Sequence, residues 1–218
     1  MTTPTTLTAR ALLFDMDGTL VDSLATVERI WTGFTERFGL DTAEVLAAVH
    51  GVRGQDSIAR FAPAGLDHDA LLAELAAGEL ELAGTTVEVP GARDLLAALP
   101  ATAVALVTSA DAELAHARTS GAGVPLPEVV VTADDVARGK PDPSGYLLAA
   151  SRLGVDPADA IVFEDAEAGI RAGLAAGMRV VVVGGHESPT TQGLPRVRDL
   201  RQVRAAVAGD GSVEVSIR

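Results

Sequence analysis

Ala11-Leu12-Leu13-Phe14-Asp15-Met16-Asp17-Gly18-Thr19-Leu20-Val21-Asp22-Ser23 begins with four apolar residues and turns abruptly acidic. A continuous apolar run, as opposed to an alternating one, is the pattern of a parallel strand covered on both faces. Four further runs of the same kind follow: Val104–Val107, Val129–Val131, Ile161–Phe163 and Val180–Val183. Between them lie Ala/Leu-rich stretches with helical spacing, such as Ala92–Leu99 and Ser144–Leu153. Strands alternating with helices predict a doubly wound, mostly parallel α/β sheet with right-handed crossovers.

The alternation breaks once. From Val21 to Val89 there is only amphipathic helical pattern, with Ser23, Asp41 and Asp67 placed to cap helices running to about Phe38, His50 and Leu82. We read residues 21–89 as an inserted, small α-helical unit, and 1–20 with 90–218 as the sheet-bearing core, re-entered at Val89-Pro90-Gly91. The alternative is that these helices simply cover the sheet. Gly169, Gly173 and Gly177 fall on one helix face, which predicts close packing of that helix on the sheet.

Composition excludes several classes. The 218 residues carry 17 basic and 30 acidic side chains, a net −13, which argues against nucleic acid or an anionic membrane surface as partner. With 48% apolar residues the chain is not disordered, and no apolar run approaches the roughly 20 residues of a membrane span. Absence of cysteine rules out disulfides, thiolate metal sites and a cysteine nucleophile. The opening MTTPTTLTAR shows no basic segment followed by an apolar stretch, so the expectation is a cytoplasmic protein, a monomer or weak dimer. Every basic residue but one is arginine, and the exception is Lys140. A compact ammonium where arginine is used everywhere else suggests a site that needs a point charge instead of a planar fork.

Ligands of open α/β sheets bind beyond the carboxyl ends of the strands, and the chemistry-bearing residues collect there. Asp15 and Asp17, two apart on extended chain, aim to one side, where two carboxylates repel unless a cation or proton lies between them. A hard divalent ion such as Mg²⁺ suits such oxygens. The second strand ends in Thr108-Ser109, the third leads to Arg138-Gly139-Lys140-Pro141-Asp142-Pro143, and the fourth ends in Glu164-Asp165. Four strand ends thus bring together two acids, a hydroxyl, a lysine and two more acids.

This constellation resembles the haloacid dehalogenase superfamily of phosphotransferases, whose four motifs match Asp15-Met16-Asp17-Gly18-Thr19, Thr108, Lys140 and Glu164-Asp165 over nearly the whole chain. The resemblance implies a Rossmann-like core and makes the helical insertion similar to that superfamily's small cap domain. His50-Gly51-Val52-Arg53, Asp56-Ser57-Ile58, Phe61-Ala62-Pro63, Val89-Pro90-Gly91-Ala92 and Phe163-Glu164-Asp165-Ala166 look like the branch that includes glycerol-phosphate and 2-deoxyglucose-6-phosphate phosphatases. It implies Asp15 as nucleophile forming an aspartyl-phosphate, and Asp17 as acid and then base. It implies Mg²⁺ on the Asp15 carboxylate, the Asp17 carbonyl and Asp165, with Glu164 close by. Thr108, the Ser109 amide and Lys140 would take the remaining phosphoryl charge. His50 and Arg53, in the insertion, are candidate contacts to a small sugar or polyol phosphate.

Three rivals stand beside it. A haloacid dehalogenase proper needs no metal and replaces the second aspartate, which Asp17 and Asp165 argue against. A phosphoglucomutase of the superfamily would carry a histidine near Val27 and a cap arginine near Gly54. A non-enzymatic phospho-acceptor receiver module is about half this length, lacks an inserted cap and carries its acceptor on a later strand.

Overall fold

The computed structural model describes residues 5–218, so residues 1–4 of the expected core segment lie outside the described residues. After strand β1 (Thr5–Ala9), β2 (Ala11–Phe14) carries the acidic loop, and β3 (Val21–Asp22) leads to helices α1 (Leu24–Phe38), α2 (Thr42–Val49), α3 (Gly54–Phe61) and α4 (His68–Leu82). The chain returns through β4 (Val87–Glu88), which pairs antiparallel with β3, and enters α5 (Ala92–Ala97). It continues as β5 (Val104–Val107), α6 (Ala112–Ala122), β6 (Val129–Val131), α7 (Ser144–Leu153), β7 (Ala160–Glu164), α8 (Glu167–Ala175) and β8 (Arg179–Val183). Strands β9 (Arg196–Val197), β10 (Val203–Val207) and β11 (Val213–Ile217) follow.

The main sheet has the order β6-β5-β2-β7-β8-β9, and every pairing in it is parallel. β2 lies in the middle with β5 on one side and β7 on the other, so the chain changes winding direction at its carboxyl end, where a ligand crevice forms. Burial on both faces explains the continuous apolar runs. Leu12 and Phe14 join Leu106, Ile161 and Phe163 in one core, while Ala11 and Leu13 join Val107, Val162 and Tyr146 in the other. Phe14 and Phe163 stack at 4.9 Å between ring centroids.

The inserted helices bury a cluster of their own, Trp31, Phe34, Val45, Val49, Ile58 and Leu71, separate from both sheet cores. Asp41 and Asp67 cap α2 and α4 as the sequence predicts, accepting from Glu44 N and from Asp69 N and Ala70 N. Ser23 does not cap α1; its hydroxyl donates to Asp17 Oδ1 at 2.5 Å instead. The foot of the insertion sits tightly on α6: a Cβ on Gly121 would fall 2.7 Å from the Ala83 carbonyl oxygen, and Thr86 Oγ1 donates to Arg118 O.

Two further expectations change. The sequence reading ends the strands at Val183, whereas β9 extends the sheet and β1, β11 and β10 form a separate antiparallel sheet. Its central strand alternates, with Val213, Val215 and Ile217 turned into the core, so it lacks the continuous apolar signature of β2 and β5. Gly177 is past the end of α8 at φ +76°, so only Gly169 and Gly173 sit on the helix face; a Cβ on Gly173 would touch Val180 and Val162 at 3.0 and 3.3 Å. Among the described residues no helix is long and apolar enough to cross a membrane.

Candidate active site

The loop after β2 is wound tightly by its own backbone. Leu20 N and Val21 N both donate to Met16 O, and Gly18 N donates to Val21 O at 2.8 Å. Gly18 adopts φ +76°, and a Cβ there would come within 2.0 Å of Asp165 Oδ2, so this position needs glycine twice over. The result sets Asp15 at the end of β2 beside Glu164 and Asp165 at the end of β7. One carboxylate oxygen from each of these three lies within 4.8 Å of the others.

Lys140 closes the cluster. Its Nζ donates to Asp15 Oδ1, to Glu164 Oε1 at 2.7 Å and to the Val107 carbonyl at 3.0 Å, and stands 5.3 Å from the centre of the Tyr146 ring. All three ammonium protons are used. Glu164 is equally saturated: Oε1 accepts from Lys140 and the Tyr146 hydroxyl, and Oε2 from the amides of Asp165 and Ala166. Asp165 differs, because its Oδ1 is buried with no hydrogen-bond partner. A Cβ on Gly169 would fall 1.5 Å from Glu164 Oε1, so this glycine serves the carboxylate as well as helix packing.

Three acids share one cation, and the electrostatics follow. Burial, reinforced by Glu164 and opposed by Lys140, pushes Asp15 up to about 8. Burial, with Glu164 and Asp15, raises Asp165 well above the carboxylate range. Lys140 is raised, because the pull of Asp15 and Glu164 outweighs its desolvation. Tyr146 is raised by burial and Glu164.

The Asp17 carboxylate stands apart from this cluster, with Oδ1 accepting from Ser23 Oγ and from Arg118 Nη1 at 3.0 Å. Thr108 Oγ1 accepts from Ala110 N, which leaves its own proton free. Ser109 Oγ donates to Gly51 O at 2.8 Å, tying β5 to the inserted helices. His50 is half-buried on the wall of the cleft, its pKa lowered by burial. Arg53 also reaches the cleft wall, but most of its guanidinium is engaged: Nε and Nη2 bind the Asp56 carboxylate, while Nη1 and Nη2 donate to the Val136 and Ala137 carbonyls. It therefore ties α3 to the loop before Lys140, with four of its five donors engaged within the protein.

Two residues went unnoticed in the sequence. Arg118, on α6, is 2% exposed and pairs with Asp17 and, at 3.4 Å, with Glu79 on α4. Both line a cleft of about 200 Å³ that runs from Asp15 to the inserted helices. One arginine among many and one acid in a Glu-rich helix carry no local signal.

A parallel sheet with acids at the β2 and β7 ends and a lysine bridging them defines a class, and the family model for haloacid dehalogenase-like hydrolases matches residues 9–177. The chain belongs to that family. It is 46% identical over 180 residues to hexitol phosphatase A of Escherichia coli (strain K12), covering 80% of this chain and 82% of that one. It is 36% identical to glycerol-1-phosphate phosphohydrolase 2 of Saccharomyces cerevisiae, covering 83% and 76%. Among solved structures, CbbY from Rhodobacter sphaeroides in complex with phosphate superposes with a TM-score of 0.74 at 28% identity, covering 88% of this chain and 95% of that one.

Proposed function

We propose that this hydrolase cleaves phosphate monoesters of small sugars or polyols, with Asp15 as nucleophile and residues 21–89 acting as a cap over it. The carrying observation is the Lys140 bridge, which fixes Asp15 at the end of β2 with its second oxygen free to face a ligand. Asp15 attacks phosphorus; the new Asp15–phosphorus bond forms as the bond to the alcohol oxygen breaks. Asp17, whose Oδ1 is held by Ser23 and Arg118, delivers a proton to the departing oxygen through Oδ2 and then takes one from the water that cleaves the aspartyl-phosphate. The free Thr108 proton and the Ser109 amide serve the phosphoryl oxygens.

The acidic cluster suits Mg²⁺. Asp165 Oδ1 is a buried acceptor without a donor, and it lies close to Asp15. Asp15, Asp165 and the Asp17 carbonyl would hold the ion, whereas Glu164 has no acceptor site to spare. When bound, Mg²⁺ supplies the positive charge that lets a carboxylate approach an anionic phosphate. A metal must displace the proton that burial favours on Asp15 and Asp165. The rise in thermal midpoint on adding Mg²⁺ is therefore expected to be small at pH 6 and larger at pH 8.5, as differential scanning fluorimetry would show. A shift independent of pH would contradict this ligand set.

Hydrolysis is favoured over a mutase reaction because Val27 and Gly54 line the cleft and offer neither a base nor a cation. Multiple-turnover phosphate release from hexitol and glycerol phosphates, with and without EDTA, tests the reading. A receiver-like acceptor would stop after one equivalent, and nucleotides outrunning every polyol phosphate would overturn the substrate class.

Arg53 now leads to a different expectation from the one its sequence context invites. Arg53→Ala removes a tie between α3 and the 136–139 loop, so kcat/KM should fall by a similar factor, on the order of tenfold, for a polyol phosphate and an aryl phosphate alike. A loss confined to the polyol phosphate would return Arg53 to direct substrate contact.

A further inference from the structure

The cleft beyond Asp17 has an unusual charge arrangement. Arg118 Nη1 binds Asp17, but its Nε and Nη2 are buried with no hydrogen-bond partner, and Nη2 approaches Glu79 Oε1 only as a 3.4 Å ion pair. Buried guanidinium donors are rarely left unmade without a reason, since each has lost its water without gaining a protein acceptor. Glu79 faces the same space, its pKa raised chiefly by burial and moderated by Arg118. The other arginine on the cleft wall, Arg53, is neutralised by Asp56. Asp15, Asp17, Glu79, Asp111, Asp134 and Asp165 supply the remaining charges there, so among the described residues both arginines of the cleft are paired with acids and acids outnumber them. Apolar contacts come from Val27, Trp31, Leu72 and Leu75.

We propose that Arg118 and Glu79 are the specificity-determining pair for an uncharged, polyhydroxylated leaving group. Glu79 accepts from one hydroxyl, Arg118 Nε and Nη2 donate to its neighbour, and Trp31 with the leucines covers the carbon chain. The pair bridges the two parts of the molecule, Arg118 from α6 and Glu79 from α4, one turn before the foot that Thr86 and Gly121 pin to α6. It is therefore rigid enough to read hydroxyl positions, and Glu79 with Asp17 repels a second phosphate. The proposal rests on the phosphatase reading above and adds the groups that choose its substrate.

The test compares wild type with Glu79→Gln, both loaded with Mg²⁺, on sorbitol 6-phosphate, glycerol 1-phosphate and para-nitrophenyl phosphate. The selectivity ratio, kcat/KM for the polyol phosphate over that for the aryl phosphate, should fall at least about tenfold in the variant, mostly through KM. Free sorbitol should inhibit wild-type aryl phosphate hydrolysis competitively, and about tenfold less well in the variant. If both substrates lose equally and sorbitol inhibition is unchanged, the pair is structural and the proposal falls. If wild type itself shows no preference for polyol phosphates, the underlying reading fails whatever the variant does. Should Glu79→Gln lose its circular dichroism signature, Glu79→Asp, which keeps the charge and shortens the reach, carries the same comparison.

Discussion

Asp15→Asn is expected to lower turnover by at least about four orders of magnitude, since removing a covalent nucleophile leaves only binding and electrostatic assistance. Phosphate release measures it, and a residual rate above about a hundredth of wild type would sink the covalent mechanism. The same variant should fold, and without divalent cation it should melt higher than wild type. Asp15, Glu164 and Asp165 face the single charge of Lys140, so deleting one acid relieves repulsion and still leaves Lys140 paired with Glu164. The pH dependence has a definite sign. Asp15 has an ordinary pKa of 3.8 when unfolded and about 8 when folded, so the folded state holds its proton more tightly. Asp15 therefore makes the metal-free wild type lose stability as pH rises from about 4 to about 8, and the amide variant lacks that contribution. The gap between the two thermal midpoints should widen across this window. A constant gap would mean that Lys140 fully compensates Asp15.

Much of this site was legible because its residues follow strands whose burial on both faces is written as unbroken apolar runs. β2, β5, β6 and α7 begin and end where the residues predict. The acids at the β2 and β7 ends and Lys140 were legible for the same reason: each directly trails such a strand or its stiff loop. The C-terminal sheet was harder, although Val213-Glu214-Val215-Ser216-Ile217 alternates and Asp210-Gly211 marks the preceding turn. Glu79 and Arg118 could not be paired from sequence, because only tertiary packing brings α4 and α6 together, with Gly121 of α6 seated against Ala83 just past the end of α4. Arg53 has partners that its sequence context does not reveal. An arginine on a loop facing the core looks like a ligand contact, yet Asp56, three residues on, and the carbonyls of Val136 and Ala137 occupy it.

Lys140→Arg should cost at least about a hundredfold in kcat although the charge is retained. Lys140 is 6% exposed, and its three ammonium protons go to three acceptors set around a point: Asp15, Glu164 and the Val107 carbonyl. A guanidinium presents five donors in one plane, so it cannot address those three directions at once. Either Asp15 is displaced from the end of β2 or the arginine is expelled toward solvent. Both outcomes misplace the nucleophile, and displacements near 1 Å are enough for losses of this size. Lys140→Met separates shape from charge: it should be at least as inactive, and less stable above pH 8, because Asp15 and Glu164 then face each other without a cation. In a chain that uses arginine at every other basic position, a fully active Lys140→Arg would show that the lone lysine has no chemical reason. Steady-state phosphate release and a melting curve on the two variants decide between these.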